Sequence, residues 1–108
     1  MFLVCGEALF DVFLEDNVAQ DSVTVPFTAR VGGSPFNVAI GLARLGQSAA
    51  LLTGVSTDFF GDRLQAVLEA EQVSTRYIAR KHAPTTLGFV QRDANGLPSY
   101  AFLREGGG

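Results

Sequence analysis

The sequence contains one cysteine, one histidine, one lysine and no tryptophan in 108 residues. Each scarcity excludes something. The lone Cys5 permits no intramolecular disulfide, and its place in the apolar run Phe2-Leu3-Val4-Cys5 reads as a small core residue. Eight basic residues against eleven acidic ones give a net charge of −3, with Lys81 the single lysine. No basic patch is available to neutralise phosphates, so nucleic acid is not an expected partner. His82 stands in a loop without Asp, Glu or Cys at ligand spacing and reads as a surface residue; no metal site is expected. No apolar run approaches the roughly 20 residues of a membrane-spanning helix. Gly6, Glu7 and Asp11 interrupt the apolar start, unlike the core of a signal peptide. These features lead us to expect a soluble, cytoplasmic protein with no membrane partner. Also missing are a Gly-x-x-x-x-Gly-Lys-[Ser/Thr] loop and a Gly-x-Gly-x-x-Gly turn after a strand, the two common sequence signs of a nucleotide cradle.

What is present is apolar. Hydrophobic residues make up 47% and charged residues 18%, with a mean hydropathy of +0.23. A free-standing domain of this size buries only roughly 60–65% of its unfolded surface. So apolar a composition therefore suits part of a larger sheet. Phe2 to Cys5 reads as a buried strand without polar alternation, as central parallel strands do. Gly6-Glu7-Ala8-Leu9 turns the chain, with Glu7 open between a cap and a turn role, and Asp11 follows just past the strand's carboxyl end. Ligands sit at that edge in open α/β sheets. Residues 10–14 and 23–31 are predicted strands of a small separate sheet, with Pro26 confining the second to an edge or a break.

The organising stretch runs from Gly32 to Gly46. Gly32 and Gly33 can take backbone angles that a Cβ forbids. Ser34 occupies the expected N-cap and Pro35 the first helical position. Phe36, Ile40 and Ala43 fall on one apolar face, and Gly46 closes the helix. Asn37 lies in the first turn, with its amide toward the glycines. A polar side chain beside free backbone N–H groups suits a small oxygen-rich ligand, though an ordinary strand-to-helix turn reads the same way. Ala49 to Gly54 is a second buried strand, completing a βαβ unit with a right-handed crossover. Thr57 or Asp58 caps the next helix, which carries the stripe Phe60, Leu64, Val67 and Leu68 and runs to about Gln72. Arg76 to Arg80 is a third short strand. Thr86 to Arg92 then pairs with Ser99 to Arg104 across Asp93-Ala94-Asn95-Gly96, whose Asn-Gly pair signals a hairpin.

Gly32-Gly33-x-Pro35-x-Asn37-x-Ala39, followed after six residues by Gly46, resembles the first signature of the PfkB carbohydrate kinases, the ribokinase-like family. Gly6-Glu7-x-x-x-Asp11, Asp58-Phe59-Phe60-Gly61, Pro84-Thr85-Thr86 and Phe102-Leu103-Arg104 also look like fructokinase and 2-keto-3-deoxygluconate kinase relatives. The likeness runs through the whole chain in order and at family spacing, but spans only the N-terminal third of such an enzyme. Two positions depart from it: Ser56 stands where the family pattern has glycine, and Leu103 where many fructokinases have tyrosine.

The resemblance implies an α/β, ribokinase-like fold. It would comprise a partial βαβ parallel sheet with helices plus a small β lid sheet made of strands at about 10–31 and 86–104. Residues 1–108 would be the N-terminal portion of a single kinase domain. It implies a sugar site of Asp11, Gly32, Gly33, Asn37, Phe89, Phe102 and Arg104, with Asp11 accepting hydrogen bonds from adjacent sugar hydroxyls. None of these is a base. The family's Gly-Ala-Gly-Asp catalytic segment, anion hole, nucleotide pocket and monovalent-cation site would lie beyond position 108. ATP, Mg2+ and a monovalent cation then belong to the full-length enzyme, which would pair as a homodimer through its lid strands. Fructokinase is the expected activity. The alternatives are a 2-keto-3-deoxygluconate, ribose or nucleoside kinase, or a non-catalytic sugar-binding or dimerising module.

Overall fold

The apolar N-terminal run forms β1 (Phe2–Cys5), the edge of a three-stranded parallel sheet in the order β1, β4 (Ala49–Ser56), β5 (Ile78–Lys81). The computed structural model describes residues 1–15, 18–93 and 95–104. Asp16 and Asn17 of the predicted polar loop, Ala94 of the hairpin turn and residues 105–108 lie outside those described. A second sheet has four strands: β3 (Phe27–Gly32), β2 (Leu9–Leu14), β6 (Thr86–Arg92) and β7 (Pro98–Leu103), in that order. Two helices, α1 (Ser34–Arg44) and α2 (Phe59–Ala70), complete the chain.

Both helices pack into one core. Phe36 and Ala39 of α1 and Leu64 and Leu68 of α2 meet Leu51 and Val55 of β4. Burying a side chain the size of Leu51, Leu64 or Leu68 contributes about 1.5–3 kcal/mol, and all three are fully buried. The opposite-facing Leu3, Cys5 and Leu52 are exposed. This corrects the expectation of a buried first strand with a core cysteine. Helices cover one face of the parallel sheet and leave the alternate side chains of β1 bare, so Leu3 is 51% exposed. The two sheets are joined through the same core, where Phe10 of β2 meets Phe60 of α2 edge-on at 5.3 Å.

Local chemistry fixes the helix ends. The N-cap of α1 is Gly33, not Ser34, which is already helical. Gly33 has φ +105°, and a Cβ there would stand 2.6 Å from the Glu7 carbonyl oxygen, so close approach to the β1–β2 turn requires glycine. At its far end the Gly46 amide donates to Ala43 and the Gln47 amide to Leu42, the paired bonds of a Schellman motif with Gly46 at φ +83°. The same pattern ends α2, where Gln72 takes φ +62° and stops the helix at Ala70, two residues short of the predicted end. Asp58 is the α2 cap, its Oδ1 accepting from the Phe60 and Gly61 amides. Strand β3 begins only after Pro26, which lacks the N–H a ladder needs, so Val23 to Val25 stay outside the sheet.

Among the glycines of the described residues, Gly61 leaves the least room for a side chain. A Cβ there would lie 1.8 Å from the Ser56 carbonyl oxygen, with no flexible side chain able to yield. Gly61→Ala is therefore expected to destabilise the full-length protein by about 3 kcal/mol, the upper end for overpacking, read as a lower urea midpoint at unchanged slope.

Candidate functional site

Strand β2 presents Leu9, Asp11 and Phe13 on one face and Phe10, Val12 and Leu14 on the other, as the period of two requires. Phe10 and Val12 of the second set face the core. Register then decides what surrounds Asp11. On one side Leu9 lies opposite Gly32 and Asp11 opposite Arg30; on the other Asp11 lies beside Gly88, which lies opposite Phe102. Asp11 thus sits inside β2, within the predicted strand at 10–14 and past the carboxyl end of β1. Glycines on both flanks leave room for its carboxylate. A Cβ on Gly32 would meet Asp11 Oδ2 at 2.6 Å; one on Gly88 would meet Phe102 Cε1 at 3.1 Å and Asp11 Oδ1 at 3.5 Å. The carboxylate makes no hydrogen bond or ion pair with any described residue.

Asp11, Gly33 and Asn37 line one open hollow of about 540 Å3 with Leu9, Ser34 and Val38. The β1–β2 turn brings Asp11 there, and the positive φ of Gly33 starts α1 so that Asn37 in its first turn faces the same space. A second hollow of about 430 Å3 continues from Asp11 along the face, past Phe13, Arg92 and Tyr100. Tyr100 and Phe102 stack with ring centres 6.4 Å apart, and the Arg104 guanidinium sits 5.3 Å from the Phe102 ring centre. The structure therefore brings Asp11, Gly32, Gly33, Asn37 and Phe102 together, with Arg104 at the margin. This face offers one carboxylate acceptor, an amide that donates and accepts, and an aromatic wall, a set that matches hydroxyl groups on a ring.

Phe89 is not among them, a correction to the expected site. Since Gly88 and Val90 share Asp11's face, Phe89 must point the other way, where it meets Phe27 edge-on at 5.9 Å beside Leu14 and Ala101. Four residues on the Asp11 face escape a reading by motif: Gly88, Tyr100, Arg30 and Arg92. The signal for them is the strand period combined with the hairpin register.

At the root of the second sheet, Glu7 accepts a hydrogen bond from Thr86 Oγ1 at 3.0 Å, which gives it a bracing role. Ser56, the departure from the family pattern, is buried, and its Oγ lies 2.5 Å from Asp58 Oδ1 and 2.7 Å from Thr85 Oγ1. The Ser56 hydroxyl, followed by the Gly61 and Phe60 amides and the Arg80 charge, holds the Asp58 carboxyl below the usual aspartate range against a smaller desolvation effect. His82 is exposed, its Nδ1 3.2 Å from Thr57 Oγ1. Among the described residues no three His, Cys, Asp or Glu side chains gather as a metal site would require. Among the described residues no helix is long and apolar enough to cross a membrane.

An α/β chain with a sugar-compatible hollow beside a glycine-capped helix has close structural counterparts. The fructokinase from Xylella fastidiosa, solved with bound ATP, superposes with a TM-score of 0.85 at 35% identity, over 95% of this chain and 32% of its own. The sequence profile of the pfkB family carbohydrate kinases matches residues 2–105, and the chain belongs to that family. A fructokinase from Rhizobium leguminosarum bv. trifolii is 39% identical over 106 residues. A 5-dehydro-2-deoxygluconokinase from Clostridium tetani is 42% identical over 64 residues, or 59% of this chain and 19% of its own. The chain spans 98% of itself but only 31% of the length of the Rhizobium relative.

Proposed function

We propose that residues 1–108 are the N-terminal, sugar-positioning portion of a single ATP-dependent carbohydrate kinase domain, and that the sugar is fructose. The observation that carries this is Asp11: an uncommitted carboxylate between two glycines, in one hollow with Gly33 and Asn37. Asp11 accepts hydrogen bonds from two neighbouring hydroxyls of the sugar. Asn37 fixes a third polar group, and Gly33 allows the ligand close to the backbone. Phe102 covers an apolar edge of the ring. Holding the sugar still is a substantial part of phosphoryl transfer, which relies mainly on positioning and charge stabilisation. The second sheet acts as a lid, excluding water that would otherwise take the phosphoryl group. Its outer strands β3 and β7 are the edges through which two subunits pair as a homodimer.

Residues 1–108 contain neither of the two common nucleotide-cradle motifs. In this proposal ATP, Mg2+ and a monovalent cation are held by the rest of the kinase domain in a cytoplasmic enzyme. A second reading is favoured by a specific observation. Arg30 on β3, Arg92 at the end of β6 and Arg104 just past β7 border Asp11's face, and they suit a sugar acid of the 2-keto-3-deoxygluconate kind.

The full-length protein would be given ATP with fructose, 2-keto-3-deoxygluconate, ribose or a nucleoside, and ADP release followed. Fructose turnover at least tenfold more efficient than the others is expected. Preference for the acid selects the second reading. Sugar binding without ADP release points to a non-catalytic module, and neither binding nor release sinks both kinase readings.

A further inference from the structure

Ser56 ends β4 and Thr85 immediately precedes β6, so the two meet where the parallel sheet passes into the second one. Both are buried. The Ser56 hydroxyl has a single proton, and Asp58 Oδ1 at 2.5 Å can only accept, so Ser56 donates there. Thr85, 2.7 Å away, then donates to Ser56. The relay Thr85 to Ser56 to Asp58 ends on the carboxylate oxygen that also accepts the first amides of α2. A charged terminal acceptor strengthens the whole run.

The middle of this relay is itself immobilised. The Arg80 Nε donates to the Ser56 carbonyl at 2.9 Å while its Nη2 reaches Asp62 of α2, and the bare Gly61 packs on that same carbonyl. Thr85 is therefore tied to a fixed point. Strand β6, which it opens, pairs with β2 on one side and β7 on the other, and so stands between Asp11 and Phe102. Thr86 adds a second tie through Glu7. A glycine at position 56 would keep the backbone contacts and lose the relay.

We propose that Ser56 is a positioning residue, which, by tying Thr85 to the capped start of α2, sets the height of β6 and of the Gly88–Phe102 wall over Asp11. The role rests on the reading of the Asp11 face as the sugar site. It is tested in the full-length protein with Ser56→Gly, Thr85→Val and the double variant. Thr85→Val keeps side-chain volume and leaves the Ser56–Asp58 bond and the α2 cap intact. Losing one such hydrogen bond should speed amide exchange across β6 about fivefold and raise the sugar KM by about the same factor. The KM for ATP and the kcat are expected to stay within about twofold, since the relay touches neither. The double variant should be no worse than Ser56→Gly, because both changes break the same run. Unchanged β6 exchange in Thr85→Val, additive effects in the double variant, or accelerated exchange with an unchanged sugar KM would each overturn the role while leaving the site reading intact. Absence of any sugar turnover in the unmodified protein would instead sink the site reading and this role with it.

Discussion

Asp11→Asn in the full-length protein is expected to lower kcat/KM for the sugar by roughly tenfold to a hundredfold, the loss of about 1.5–3 kcal/mol that attends removal of a charged hydrogen-bond acceptor. The asparagine fills the same space, so the flanking glycines Gly32 and Gly88 accommodate it without repacking. What changes is the charge and half the accepting capacity, since one oxygen becomes an NH2 that must itself find an acceptor. Because Asp11 has no partner among the described residues to release, the fold should be untouched and the urea midpoint unchanged. The KM for ATP should also stay put. Steady-state kinetics with the sugar and ATP varied separately decide the matter. An unchanged kcat/KM for every sugar would remove Asp11 from the site, and a parallel fall in stability would recast it as a structural residue.

The parts of this arrangement that were legible in the sequence are those set by local rules. The Gly32-Gly33 turn, the helix end at Gly46, a cap at Thr57 or Asp58 and the hairpin at Gly96 each depend on a few neighbouring residues. The stripe Leu64–Leu68 likewise announces its buried face by spacing alone. What was not legible depends on register or on neighbours distant in sequence. Phe89 looks like a lid aromatic until its strand is aligned with β2, when its odd position turns it away from Asp11. Gly88, next to it, shows no chemistry of its own, and its value is the space it leaves between Asp11 and Phe102. Ser34 has the ideal chemistry for a cap, yet Gly33 takes that place because the Glu7 carbonyl stands too close for any side chain. Cys5 has the residue type and apolar company of a core position. Its exposure follows from which face of the sheet the helices cover, a property of the whole and not of the segment.

The same uncovered face governs what residues 1–108 should do when produced by themselves. Their accessible surface of 7091 Å2 exceeds the roughly 5,800 Å2 usual for a folded chain of this mass. Their radius of gyration is 15.6 Å where about 13 Å is usual for this length. Much of the excess is apolar: Phe2, Leu3 and Leu52 on the parallel sheet, Leu97 and Leu103 on the hairpin. The β1 edge adds unpaired backbone groups. An apolar face and an open edge on one molecule favour association, so the isolated polypeptide is expected to run larger than a monomer in light scattering and to precipitate as concentration rises. It should phosphorylate no sugar, since in the proposed role its best-placed carboxylate, Asp11, holds substrate, and neither common nucleotide-cradle motif occurs in residues 1–108. Contacts from Asp11, Gly33 and Asn37 alone should leave sugar affinity in the millimolar range or weaker, near −4 kcal/mol. Sugar-dependent ADP release above a no-protein control would overturn the assignment of catalysis to the rest of the domain. A monodisperse monomer at high concentration would show instead that the exposed sheet face tolerates water.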